Sequence, residues 1–386
     1  MDKVREPMRF NIEQDDIGSI LAGDTGLVPN SGSAFYKAAP SVESNRDLTA
    51  LYGELLTDRE FLRAMRIATQ PDLYIVVRVA GAQGLTEIRL HRRKSEGESV
   101  VTTEQRAEGS LTLSVFENAG AWLNEWVKGF AGDSDAPAAN YIPPKVSLEE
   151  FLFVLHAVDS FRRTSYQNML SHVFTDRAYV KVPEFLQSMA DSLKSMDVRW
   201  LLPAFLAVTP GVEQYQTDID PQNIAVLLQH DFFTEGKLAS GENVLVFGEA
   251  GQIMGVEFFR SWFTSCGMEI NVAGPEGFKT AERLFITPTI LGNHFTRLEN
   301  TDKAKAMVNH QVYTMEQLTF KLDELLGRAF AKDADPDRVE PGAAPSPVPP
   351  SPSTAPAPPV RKFCANCGSK ILAEAGFCGN CGTKLK

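Results

Sequence analysis

Four cysteines near the end of the chain have the type and spacing to bind a metal. Cys364, Cys367, Cys378 and Cys381 form two C-x2-C pairs, ten residues apart, within RKFCANCGSKILAEAGFCGNCGTKLK. Zn²⁺ favours four thiolates in a tetrahedron, and two intervening residues let a tight turn bring both sulfurs of a pair to one ion. Gly368 and Gly382 directly follow the pairs, where such turns call for positive φ. Phe363 and Phe377 directly precede them, so FCANCG and FCGNCG read as duplicated half-sites. Between them, Lys370-Ile371-Leu372 is expected as a short strand and residues 373–376 as a turn. Two disulfides could use the same thiols. The opening MDKVREPMRFNIEQDD has no apolar signal core, however, so a reducing, cytoplasmic setting and a metal are expected instead.

This segment resembles the short zinc-ribbon modules that end many bacterial and archaeal proteins. The resemblance covers residues 361–386 only. It implies that all four cysteines are structural ligands of one Zn²⁺. A closed ligand set leaves no position for water, and so no catalytic metal.

The elements that must position this module begin with a tether. Residues 333–362 carry ten prolines between Pro336 and Pro359. Proline removes donors and favours extended polyproline backbone. The stretch is expected to be a disordered linker, and about 25 residues at ~3.1 Å each would reach roughly 80 Å. P-x-x-P also occurs at Pro347–Pro350 and Pro349–Pro352, the form of a docking motif.

Charge separates the module from the body. Residues 361–386 hold five basic residues (Arg361, Lys362, Lys370, Lys384, Lys386) and one acid (Glu374). That is a formal +4, which leaves −15 for the rest of a chain whose total is −11. An acidic body argues against nonspecific nucleic-acid binding by that body. No apolar run approaches the ~20 residues needed to cross a membrane.

The body, residues 1–332, reads as α+β. Residues 1–45 are expected to be irregular. Helices are expected from Asp47 and from Asp58, then strands at 72–80, 85–91, 99–103 and 111–116, and a helix at 119–130. Residues 131–146 connect to a helix opened by the capping box Ser147-x-x-Glu150. Amphipathic or apolar helices follow at 182–196, 200–208 and from Asp220-Pro221. A second β section is expected: strands 243–247, 253–262, 268–272 and 283–286, with a turn at Gly248–Gly251. Residues 287–298 read as a helix, and 313–330 as an amphipathic helix.

This order of elements occurs twice, which divides the body into halves at 1–146 and 147–332. Two arrangements fit: quasi-equivalent halves each with a small antiparallel sheet flanked by helices, or one larger domain whose strands join a common sheet. A pseudo-twofold axis would reconcile them. Through DLYIVVRV and AWLNEWVKGF and the repeated layout, the body also resembles the ESX secretion-associated chaperones of type VII systems. That resemblance implies a body that binds helical protein partners. Such chaperones do not usually carry a zinc ribbon.

Nothing in the body names a reaction. The six histidines, His91, His156, His172, His230, His294 and His310, include no H-x3-H pair. His156 stands among apolar helix positions, as a core histidine does. His230-Asp231 reads as a cap or turn, and Cys266, in SWFTSCGMEI, as a buried inert thiol. Asp15-Asp16 and Asp218–Asp220 read as solvated faces or caps. G-x-S-x-G, G-x-G-x-x-G, G-x4-G-K-[ST] and H-E-x-x-H do not occur. Trp122 and Trp126, four apart, read as a packing pair. The favoured function is a cytosolic bacterial interaction protein, adaptor or chaperone-like, with a tethered structural zinc ribbon. The alternatives are a nucleic-acid-associated regulator that uses the basic ribbon, and an enzyme with an unrecognised site in the body.

Overall fold

Two β-branched runs far apart in the chain, LYIVVRVAG and SCGMEINVAG, meet at the centre of the protein. The computed structural model describes residues 6–23, 27–36, 47–81, 84–106, 109–133, 140–173, 178–215, 219–259, 264–302 and 305–332. The chain divides into two compact units, Met1–Pro336 and Asp337–Lys386, and every described residue belongs to the first. The proline-rich stretch, the four paired cysteines and the strand expected at 370–372 lie outside the described residues.

In chain order the strands are β1 (Met8–Glu13), β2 (Leu73–Gly81), β3 (Gly84–Arg92), β4 (Val100–Gln105), β5 (Ser110–Phe116), β6 (Lys145–Ser147), β7 (Tyr179–Lys181), β8 (Phe233–Lys237), β9 (Asn243–Phe247), β10 (Ser265–Gly274), β11 (Gly277–Pro288), β12 (Asn293–Asp302) and β13 (Lys305–Tyr313). The helices are α1 (Ile17–Gly23), α2 (Leu48–Tyr52), α3 (Arg59–Thr69), α4 (Ala119–Phe130), α5 (Leu148–Leu170), α6 (Val182–Ser192), α7 (Leu201–Val208), α8 (Ile224–Gln229), α9 (Glu249–Phe259) and α10 (Met315–Lys332). The fold is α+β.

Ten strands form one antiparallel sheet in the order β1-β5-β4-β3-β2-β10-β11-β12-β13-β6, and β7-β9-β8 form a second, small sheet. Both halves therefore contribute to a common sheet, one of the two arrangements open from the sequence. The order reads the same outward from the β2–β10 seam in both directions. Each side of the seam holds a four-strand meander, a short outer strand and a helix that follows the meander, the outer strand β6 straddling the expected boundary at 146. The hairpins next to the seam match as well. Gly81 pairs with Gly84 at the end of β2–β3, and Gly274 with Gly277 at the end of β10–β11. Gly84 and Gly277 have φ of 108° and 111°, a region closed to side chains with a Cβ.

Alternation along the strands buries both faces of the sheet. Leu73, Ile75 and Val77 of β2 face the same way as Met268 and Ile270 of β10. They pack under α4 and α10, which supply Trp122, Leu123, Val127, Leu318, Leu322 and Leu325. On the opposite face α7 rests on β2 and β10, α5 packs beside α7, and α9 packs against α5. The helices α1 and α3 cover β4 and β5 there.

The helix starts follow local chemistry. Asp47, Asp58 and Asn118 accept hydrogen bonds from first-turn N–H groups of α2, α3 and α4. The capping box of Ser147 and Glu150 opens α5. Helix α7 lacks a cap from its own chain neighbours. Asp159 of α5, fully buried, accepts from Leu201 N and Leu202 N, both at 2.9 Å. Arg162 pairs with Asp159 at 2.8 Å and donates to Arg199 O at 2.9 Å. Burial pushes the Asp159 carboxyl up, and Arg162 and the two N–H groups oppose this.

Three segments differ from the sequence reading. Residues 253–262, read as a strand after a turn at 248–251, belong to α9 as far as Phe259; residues 260–263 lie outside the described residues. The cause is tertiary. Asp231 Oδ2 accepts from Glu249 N at 2.9 Å and starts the helix. Gly251 lies against Phe232 O and Gly255 against the Phe161 ring, where a Cβ would come within 2.3 Å and 2.1 Å. These glycines let α9 pack close, and in the sequence they read as breakers. Residues 287–298, read as a helix, hold the end of β11, a turn closed by Thr289 N to Gly292 O at 2.8 Å, and β12. Cross-strand pairing outweighs the local pattern there. Within 1–45, read as irregular, Met8–Glu13 pairs with β5 as an edge strand.

The seam has a sharp steric requirement. A Cβ on Gly267 of β10 would stand 1.9 Å from Val208 O, at the end of α7. Backbone cannot yield as a side chain can, so Gly267→Ala is expected to destabilise the protein by about 3 kcal/mol. Urea unfolding of the variant measures this. A loss under about 0.5 kcal/mol would mean that α7 is not seated on the seam.

Candidate functional site

The sheet face that carries α4 is not fully covered. Beyond the helix, β3, β4, β5 and β1 continue as an open polar floor. The resulting cleft of about 440 Å³ is lined by Thr86 and Ile88 of β3, Thr102 and Glu104 of β4, Thr112 and Ser114 of β5, and Arg9 of β1. Its wall is the outer side of α4. There Trp122 stacks on Trp126 at 5.9 Å between ring centroids, and Trp126 on Phe130 at 4.8 Å. Trp122 is buried and Trp126 half-buried, so the packing expected of this pair is present and one edge still borders the cleft.

Charges stand at the rim. Arg9 faces Glu125 at 3.6 Å, and both are largely exposed. Glu104 and Arg106 line the same cleft and make no ion pair among the described residues. The combination of an apolar wall, a hydroxyl floor and available charges suits recognition of a polar or charged guest. No single stretch of sequence showed this cleft, because its residues come from six separate elements.

A second cluster is buried. His294 Nδ1 lies 3.1 Å from His310 Nε2, and His294 Nε2 lies 2.9 Å from Glu257 Oε1. Thr289 Oγ1 donates to the same Glu257 oxygen at 2.5 Å. The chain Thr289–Glu257–His294–His310 fastens α9 to β12 and β13. Its members bond one another and are each at most 5% exposed, so it acts as a polar clasp within the core, with His310 Nδ1 left without a partner among the described residues. The sequence hid it because 253–262 and 287–298 exchanged helix and strand.

Most other expected residues fall where their neighbourhoods implied. His156 is buried, with Nε2 3.1 Å from Phe185 O and 2.9 Å from Ser188 Oγ. His230 ends α8, and Asp231, at φ 55°, caps α9. Cys266 is fully buried, and burial pushes its thiol well up, as an inert thiol requires. Asp220 caps its own turn. Asp16 differs from the expected solvated face: it is buried and accepts from Tyr52 Oη at 2.8 Å. Among the described residues, no group of three or more His, Cys, Asp or Glu is placed to hold a metal. No helix among them is long and apolar enough to cross a membrane.

The comparison with known families bears on the other end of the chain. Residues 363–385 match the family model of the zinc-ribbon domain. The C-terminal segment is thus a zinc-ribbon domain, a class defined by zinc binding. The matched residues include Cys364, Cys367, Cys378 and Cys381, a donor set of four thiols in two C-x2-C pairs that suits Zn²⁺. No curated protein matches the chain.

The buried histidines make stability depend on pH. Burial holds His91 and His156 down to about 3, with Arg89 and Arg163 adding to the effect. His310 is held well below the usual range by burial and by His294 beside it. Among the described residues none of the three Nδ1 atoms has a partner, so a proton added there would be a buried, unbonded charge. Above about pH 6.5 the folded and unfolded chains carry these rings alike. Below it the unfolded chain takes up protons that the folded one refuses. Stability is therefore expected to fall by about 1.4 kcal/mol per pH unit for each ring, or about 4 for three. Urea midpoints at pH 7.5, 6.5 and 5.5 measure the slope. A flat profile below 6.5 would contradict it.

Proposed function

We propose that the protein is an adaptor or chaperone-like interaction protein, with a body that binds a protein partner and a zinc ribbon that serves as a second recognition module. The observation that carries this reading is the cleft beside α4. It is open, bordered by a stacked aromatic ladder and floored with hydroxyls and charges, as sites for protein segments are. The body comprises two halves, 1–146 and 147–332. Residues 333–362 are the linker, and 363–386 the ribbon. A cytoplasmic setting fits free thiols. On this reading Cys364, Cys367, Cys378 and Cys381 hold one structural Zn²⁺, and the body residues do the binding.

Affinity capture with the full chain, with residues 1–332 and with full-length Trp126→Ala tests the body. The wild-type chain and 1–332 are expected to retain a common partner that Trp126→Ala loses, with the variant still melting cooperatively. Retention of no protein partner by either wild-type form ends the proposal. Capture of nucleic acid by the full chain alone, lost at high salt, would favour the regulator reading.

Metal content tests the ribbon separately. One Zn²⁺ per chain is expected, lost in the Cys364→Ser variant and absent from residues 1–332. Zinc retained by residues 1–332 would move the site into the body.

A further inference from the structure

The two halves of the sheet place different side chains at the same position, and the difference identifies a guest. Leu90 of β3 pairs with Thr102 of β4, which pairs with Ser114 of β5. In the other half Leu284 of β11 pairs with Arg297 of β12, which pairs with Asn309 of β13. Thr102 and Arg297 therefore correspond about the seam. Two residues further along their strands, Glu104 corresponds to Glu299. Two residues before Leu90 and Leu284, Ile88 corresponds to Glu282.

In the second half a cleft of about 390 Å³ remains beside this position, and the guanidinium of Arg297 sits there between two acids. It donates to Glu282 from Nε at 2.6 Å and from Nη2 at 2.9 Å, and to Glu299 from Nη1 at 3.3 Å. In the first half the frame retains one of the two acids, Glu104, and replaces the arginine by a threonine. The space that the long side chain would take is part of the cleft of about 440 Å³. We propose that this cleft receives an arginine or lysine side chain from a protein partner, its cationic head on Glu104 in the place that Arg297 holds in the other half.

The lining fits such a guest along its length. Ile88, Val79 and the edge of Trp126 offer apolar surface for an aliphatic stem. Thr86 adds an exposed hydroxyl near the head, while Thr102 and Thr112 are buried in the floor, Thr112 donating to Asn11 Oδ1 at 2.8 Å. Glu104 makes no ion pair among the described residues, so its carboxylate is available. The Arg9–Glu125 pair at the rim is self-neutralised. Arg106 repels a second cation, which selects a basic residue flanked by neutral or acidic ones over a basic run. The cleft exceeds one side chain in volume and is open on its outer side, which leaves room for the backbone of a peptide. The formal −15 of the chain outside 361–386 adds long-range attraction for basic partners.

This inference rests on the interaction reading above, and its test separates the two. A display library of random 12-residue peptides is panned on the full-length protein. The best peptide is then synthesised and titrated against wild type, Glu104→Gln, Thr102→Arg and Trp126→Ala. Thr102→Arg copies the second half and fills the site from within. Selected peptides are expected to share one Arg or Lys between neutral or acidic residues. Affinity is expected to drop about tenfold in Glu104→Gln and to vanish in Thr102→Arg. Thermal melts of both variants are expected to stay close to wild type, as the Arg297 arrangement is already tolerated in this fold. Peptides selected without a basic residue, or bound equally by Glu104→Gln and Thr102→Arg, overturn the inference. If such peptides still need Trp126, the interaction reading survives. If no peptide is selected and no partner is captured, both fall.

Discussion

The pairing of β2 with β10 is the constraint on which the rest of the structure depends. Eight residue pairs from Leu73–Val272 to Ala80–Ser265 join two meanders that each cover only half of the core. The pair is bonded along its edges and held from both faces. On one face α4 and α10 meet over Ile75, Val77, Met268 and Ile270. On the other, α7 lies flat on both strands because Gly267 has no side chain. Helix α7 is held there by Asp159, which replaces the missing local cap, and Arg162 balances the charge that Asp159 brings into the core. A polar cluster thus sets the position of an apolar helix. A buried ion pair adds less to net stability than its contacts suggest, but loss of one partner leaves an uncompensated charge, at a cost of about 3–5 kcal/mol.

The symmetry of the sheet makes its differences informative. Each half provides a meander, a two-residue hairpin between glycines and a covering helix. Where the halves correspond in backbone, their side chains diverge. One half sets Arg297 between two glutamates, beside a cleft of about 390 Å³, and the other has Thr102 at that position and a cleft beside a tryptophan ladder. Two copies of one frame thus carry different surface chemistry. The surface of the first half can then vary while the second continues to support the seam.

Legibility in the sequence followed the range of the interactions. The ribbon was readable because its two C-x2-C pairs stand close together in the sequence. Helix α4 was readable to the residue, since Leu123, Trp126, Val127 and Phe130 repeat on one face, and the structure adds the cap from Asn118. The strands from Leu73 to Phe116 were readable because β-branched alternation and glycine turns agree there. Helix α9 was not. Ile253, Val256 and Phe258 with two glycines look like a strand, and only contact with α5 and the cap from Asp231 make them helical. The cleft was illegible for a related reason. Arg9, Glu104 and Glu125 become neighbours only once the register of β1, β5 and β4 is known. The correspondence of Thr102 with Arg297 also needs both registers and the position of the seam.

The distance along the chain between β2 and β10 also has a temporal consequence. A ribosome adds about 5–20 residues per second, so β2 emerges roughly ten to forty seconds before its partner strand. During that interval the nascent first half carries a central, apolar strand with one unbonded edge, a ready template for pairing with another chain. The second half is therefore more than a structural support for the mature protein. Its arrival ends the period in which the newly made chain is most exposed to aggregation.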